Sequence, residues 1–308
     1  MANKIVGINT SNILLPNDPK FWEELNKIPH RSFPGVKLEG EDCYKKLYHF
    51  TSFETFVLIW LKKRLKFSPR IGANDIKEIN TSIDFGFHQP VLALAYEDVR
   101  AAYKQICFSM DYTTSIKGFM NPLLWGVYAN KNKGVCIEID FDKLNTTDTL
   151  HNPINYCACA PSNFLLPKTA KSINDIKNYF IENQEELLFT KEACWEHENE
   201  FRIVSDKLSY LDVTNAISAV YLTSFESLEF EMVKELLKGS DTALKIVYPH
   251  RTGYLLDGDP DIKIKEKQLS LSEKNYLSIV GKRAVAFYNQ HKDDPDYDMT
   301  QFSIFADD

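Results

Sequence analysis

Residues 195–204, WEHENEFRIV, set two carboxylates two positions apart beside an apolar run. In extended backbone the side-chain period is two, so Glu198, Glu200 and Arg202 share one face while Phe201 and Ile203 take the other. Acids held in this way on a rigid strand can stabilise a developing positive charge and accept a hydroxyl proton, as glycosyl transfer requires. The same pattern also describes an edge strand whose Glu and Arg side chains pair with each other in solvent. Deciding between these two readings needs other reactive groups that converge on the pair.

Two upstream segments offer such groups. LYHF (47–50) reads as a short strand carrying His49, which is either a satisfied core or edge histidine or a ligand-binding imidazole. In NPLLWGVYANKNKG, Asn121 is a good N-cap, Pro122 suits the first helical position, and Gly134 ends the turn before strand VCIEID. Trp125 and Tyr128 stand three apart on that helix, so they occupy neighbouring positions of one face. They pack in the core or stack on a ligand, and the Tyr128 hydroxyl, which needs a partner if buried, suits the edge of a cleft.

The elements that must position these residues follow from periodicity and caps. After LYHF, Thr51 or Ser52 caps a helix with an apolar stripe of Phe53, Phe56, Val57 and Trp60, and strand LKFS comes next. The segment PRIGANDIKEINTSIDFG has loop composition, and a helix from Leu92 to Lys104 leads to strand ICFSM. Beyond VCIEID come strand PINY and a long amphipathic helix from about Ser172 to Ala193. The remainder reads as strand AISAVYL, helix 225–238, strand ALKIVY, a turn at HRTGY, strand DIKIKEKQL and a closing helix 271–290. This order predicts an α+β fold with a largely antiparallel sheet. Residues 1–40, which hold one short helical segment at FWEELNKI, form an N-terminal extension. Residues 41–290 make one domain, and 291–308 an acidic tail.

Composition excludes several classes. With 308 residues, 44% hydrophobic, no apolar run has the length of a membrane span and no secretory signal is seen near the start, so a cytoplasmic setting is expected. The net charge of −7 argues against a chain-wide grip on a phosphate backbone. A local cluster at Lys62, Lys63, Arg64, Lys66 and Arg70 is compatible with a small anion or with a solvated helix face. The six cysteines (43, 107, 136, 157, 159 and 194) follow no disulfide spacing, and Cys157 with Cys159 lacks a second ligand pair for zinc, so no metal site is expected.

Three blocks taken together, LYHFTS with its helix and LKFS strand, ICFS followed by NPLLWGVYANKNKGVCIEID, and WEHENEFRIV, resemble the bacterial family called domain of unknown function twenty-nine seventy-one. That family shares a YHYTS-like start, an Asn-Asp segment, a WxxYA helix running into KGVCI, and a tryptophan followed by ExEyR. The resemblance spans roughly residues 45–268. The chain departs from it at IGANDIKE, where the family usually has Pro after Asn74 and Asp75.

A more distant resemblance is to the ADP-ribosyltransferase fold, which implies a split, largely antiparallel sheet flanked by helices. It also implies NAD as substrate. By that likeness His49 would bond a ribose hydroxyl and the carboxamide end of NAD with Thr51 beside it. Phe108 and Tyr128 would wall the nicotinamide with Trp125 in support, Glu200 would be the catalytic glutamate, and Glu198 would face the acceptor. The resemblance thus implies an NAD-dependent ADP-ribosyltransferase or NAD glycohydrolase, acting on a protein or nucleic-acid acceptor, as a toxin or phage-defence effector with a regulatory partner. The rival expectations are a non-catalytic ligand-sensing or interaction module on the same fold, in which Glu198, Glu200 and Arg202 form a structural ion network, and a nucleic-acid-directed toxin with His49 and Glu200 as acid and base.

Overall fold

A computed structural model of the protein describes residues 38–70, 90–114, 116–157, 170–223, 228–249 and 255–257, together with Ala286. The helical segment FWEELNKI, the loop after Arg70, Cys159, the HRTGY turn, the DIKIKEKQL strand, the closing helix but for Ala286, and the acidic tail lie outside the described residues.

The first strand, β1 (Lys46–Thr51), ends where the Ser52 hydroxyl accepts the Thr55 amide and starts α1 (Phe53–Lys62). This is the cap expected from the Thr-Ser pair, and it satisfies one of the helix's otherwise orphaned donors. Lys63, at φ 51°, closes α1 with a left-handed residue. The stripe Phe53, Phe56, Val57 and Trp60 is buried, and Leu58 and Ile59 with it, so α1 is covered more widely than a one-sided helix. Each fully buried side chain of this size contributes about 1.5–3 kcal/mol of apolar transfer.

LKFS is split between β2 (Arg64–Lys66) and β3 (Ser68–Pro69). The next helix, α2 (Pro90–Ala102), starts and stops two residues earlier than expected and leads to β4 (Lys104–Ser109). In α3 (Pro122–Val127) the Asn121 side chain accepts the amides of Leu123 and Leu124, and Pro122 takes the first turn, where its missing N–H is harmless. Strand β5 (Val135–Asp140) follows.

PINY resolves into β6 (Leu150–Pro153) and β7 (Asn155–Cys157). The long helix expected over 172–193 is corrected. It is α4 (Ile173–Glu182), opened by a Ser172–Asp175 capping box, then α5 (Gln184–Phe189), and residues Thr190–Glu192 are strand β8. The WEHE half of WEHENEFRIV is likewise not strand. Residues Ala193–Glu198 form a 3-10 turn, Asn199 adopts φ 45°, and β9 (Glu200–Ser205) begins only after it.

Strand β10 (Tyr210–Asp212) pairs with β2, and β11 (Ile217–Leu222), α6 (Leu228–Leu236), β12 (Ala243–Pro249) and β13 (Leu255–Asp257) complete the described chain. The main sheet runs β13-β12-β11-β5-β1-β4-β9-β6, with β3 joined to β4. Its pairings are antiparallel except β11 with β12, which gives the mixed α/β architecture with a mostly antiparallel open sheet.

Strand alternation sorts the core into three groups. One sheet face carries Leu47, Ile106, Phe108, Ile137, Phe201 and Ile203, and α1 and α6 cover it. The opposite face has two separate apolar clusters. Tyr48, Phe50 and Tyr221 pack with Trp125 of α3, whereas Val204 packs under Tyr96, Phe180 and Leu188 of α2, α4 and α5. Between these clusters the face is polar.

Candidate functional site

That polar gap lies at a seam in the sheet. Strand β5 joins β1 through six registered pairs and β9 joins β4 through six, but β1 and β4 meet only at Tyr48↔Ser109. Past that point β1 and β4 line a cleft of about 460 Å³, together with residues from α3, β8 and β9.

Register places the side chains. Cross-strand partners share a face, so Ser109 and Glu200, and likewise Cys107 and Arg202, all look into the polar gap. The acids therefore sit on an interior strand: Glu200 is 3% exposed and Arg202 is 0% exposed. Burial rules out the reading of a solvent-paired edge strand. Arg202 Nε donates to Glu200 Oε1 at 2.7 Å, and its Nη1 donates to the Leu188 carbonyl at 2.9 Å.

Glu198 reaches the same site by a different route from the strand alternation expected of it. The left-handed Asn199 turns the chain, and its side-chain amide donates to the carbonyls of Met110 and Asp111, pinning the corner against the end of β4. From there Glu198 accepts the Tyr128 hydroxyl at 2.5 Å on Oε1 and the Lys191 ammonium at 2.6 Å on Oε2. Lys191 also contacts Glu200 Oε2 at 3.3 Å and lies 4.6 Å from the centre of the Trp195 ring. Two carboxylates and two cations thus form one buried, charge-balanced quartet. Burial pushes the Glu200 pKa up, but the Arg202 and Lys191 charges and the bonds from Arg202 and Cys107 outweigh it and hold the carboxyl well below the usual range. The Glu200 backbone N–H donates to the Tyr156 hydroxyl at 2.9 Å.

His49 alternates with Tyr48, so it emerges on the face of Phe108, opposite Glu200. Its ring lies 5.7 Å from that of Phe108. It lines the cleft because β1 and β4 have parted, and its Nδ1 bonds the Cys107 carbonyl across the gap at 3.1 Å. A carbonyl only accepts, so Nδ1 carries the proton and Nε2 of the neutral ring is an acceptor, an assignment made from the bonding pattern. Surrounding protein lowers the His49 pKa, and the carbonyl bond offsets part of that shift.

The remaining expected residues divide. Tyr128, at the C-cap of α3, lines the cleft. Phe108 lines it too but from the other sheet face and mostly within the main core, so the two rings are not facing walls. Trp125 is fully buried, donates its indole N–H to the Phe119 carbonyl at 2.7 Å and packs edge-on to Phe50 at 5.4 Å; it positions α3 and stays clear of the cleft. Thr51 is buried in its pairing with Val135 and does not line the cleft.

Sequence reasoning missed Lys191, which binds both acids, because the chain around it reads as helix. The β-branched Thr190 directly before it was the available signal. It also missed Cys107 and Gln105, although KQICFS alternates polar and apolar residues plainly. Among the described residues no group of three or more His, Cys, Asp or Glu side chains is arranged to hold a metal ion, and no helix is long and apolar enough to cross a membrane. The basic cluster disperses: Lys63 sits over the Trp60 ring, Arg64 lies 3.9 Å from the centre of the Tyr210 ring, and Arg70 is buried.

Residues 124–203 match the model of the family described as Protein of unknown function (DUF2971). The match is narrower than the span of the sequence resemblance. It runs from α3 to β9, taking in Tyr128, Lys191, Glu198, Glu200 and Arg202, and stops short of His49 and β4. No curated protein matches the chain.

Proposed function

We propose that the cleft binds NAD and that the protein breaks its nicotinamide–ribose bond, passing ADP-ribose to water or to a macromolecular acceptor. The observation that carries this reading is the convergence of Tyr128, Glu198, Glu200 and His49 on one cleft at the sheet seam. The strands bearing His49, Phe108 and Glu200 are also consecutive in the sheet, which brings the three residues to one seam.

In the reaction the C1′–N bond breaks and its electron pair passes to the ring nitrogen, so nicotinamide leaves neutral and the ribose gains oxocarbenium character. Glu200, held ionised by Arg202 and Lys191, stabilises that charge from a site dry enough for the attraction to count. Tyr128 offers an electron-rich face to the cationic ring, and His49 Nε2 is an acceptor for a ribose hydroxyl or carboxamide N–H. The acceptor oxygen then bonds to C1′ and loses its proton to a carboxylate, Glu198 being the acid bonded to Tyr128.

Purified protein incubated with NAD is expected to release nicotinamide, and Glu200→Gln to abolish release while the fold survives. No NAD binding by calorimetry together with no turnover in cell extract would overturn the proposal. One observation favours a second reading, a non-catalytic ligand-binding module: both Glu200 oxygens are already engaged by Arg202 and Lys191. On that reading Glu200→Gln lowers stability, and the wild-type protein has no activity to lose.

A further inference from the structure

The cleft is polar at both ends, but in different ways. At the seam the charges are paired. Four residues back along β4, about 13 Å away at the rise of an extended chain, the polar groups are not. Gln105 lines this end and is 6% exposed, yet among the described residues its buried Oε1 has no hydrogen-bond partner. A buried acceptor left unpaired is a standing penalty, which a donor from a ligand would remove. Ser68 stands opposite Gln105 in the β3–β4 register, and Lys66 lines the same end with no acid beside it among the described residues.

A ligand suited to the far end therefore carries negative charge near Lys66 and a hydrogen-bonding edge at Gln105. We infer that the far end is a nucleoside diphosphate subsite in which Lys66 holds the phosphates and Gln105 reads the edge of the base. The carboxamide supplies an adjacent acceptor and donor, the pair that meets adenine through two hydrogen bonds. Lys66 is a mobile point charge, suited to a diphosphate whose position varies. This inference rests on the reading of the cleft as an NAD site and extends it to the part of the ligand remote from the broken bond.

The test is calorimetry on the full chain with ADP and inorganic pyrophosphate as probes. The wild-type protein is expected to bind both, ADP more tightly. Gln105→Leu is expected to weaken ADP on the order of tenfold and leave pyrophosphate unchanged, with a melting temperature equal to the wild type's or higher because an apolar side chain replaces an unpaired amide. A residue with only a structural role would not lower affinity while sparing or raising stability. Lys66→Gln is expected to weaken both probes and flatten the salt dependence of binding. Wild-type protein that binds only one probe or neither overturns the inference, as does a Gln105→Leu protein that binds ADP normally or weakens both probes alike. Nicotinamide release separates the two proposals. ADP binding in this pattern without release keeps the subsite and loses the reaction, whereas release with normal ADP binding by Gln105→Leu keeps the reaction and loses the subsite.

Discussion

Replacing Lys191 with Met removes the ammonium that binds both acids while retaining most of the aliphatic stem. In the wild type, Nζ stands 2.6 Å from Glu198 and 3.3 Å from Glu200, and none of the three side chains is more than 7% exposed. At an effective dielectric near 20 those separations correspond to attractions of about 6 and about 5 kcal/mol. Desolvation of the ammonium consumes much of this, so the expected net loss is about 3–5 kcal/mol, the range for stripping one partner from a buried pair.

The loss should depend on pH. The variant keeps two carboxylates beside one guanidinium, and taking up a proton is the cheapest relief. The deficit relative to wild type therefore shrinks as the pH falls toward about 5. Glu200 in the wild type has the opposite sign. Its folded pKa is depressed, so its contribution is complete above the unfolded value of about 4.3 and is lost as pH falls through the lower folded value. Urea denaturation followed by tryptophan fluorescence at neutral and mildly acidic pH measures the first effect, and extending the series below about pH 4 measures the second. A loss below about 1 kcal/mol at neutral pH, as for surface pairs, or a deficit that ignores pH would refute the electrostatic account.

Gly134→Ala should also destabilise the fold. A Cβ there would collide with the Thr51 carbonyl oxygen and lie 2.9 Å from the Ala129 backbone. Neither obstacle is a movable side chain, so a loss of about 3 kcal/mol is expected in denaturation, and an unchanged midpoint would contradict the close approach of β1 to the turn. Because the folded pKa of His49 is lowered, the unfolded chain binds the proton first. The His49 contribution is complete above the unfolded value of about 6.5 and falls away below it. His49→Gln should therefore reduce the loss of stability between about pH 7.5 and 5.5 without erasing it, since burial lowers His151 as well; identical slopes for variant and wild type would refute this.

Where neighbouring residues decide the outcome, the sequence was legible. The Ser52 and Asn121 caps, Pro122 in the first turn, the apolar stripe of α1, and Glu200 and Arg202 on one strand face all follow from spacings of two to four residues. Errors arise where a nonlocal partner overrides the local pattern. Residues 190–192 continue an amphipathic helix by periodicity but become β8 by pairing with β7, and Ala193–Glu198 curl into a 3-10 turn because Asn199 is pinned to the end of β4.

By itself the sequence determined which side chains alternate on each strand, where helices start, and that two acids stand close to an arginine. Tertiary structure decided that those acids are buried on an interior strand, that Lys191 joins them, and that Trp125 supports from the core while Tyr128 meets Glu198. It also decided that His49 and Glu200 lie on opposite faces and meet only at an open seam. These outcomes depend on which strands pair and where a pairing stops, and that is set by contacts between residues 61 to 101 positions apart, beyond the reach of any local period.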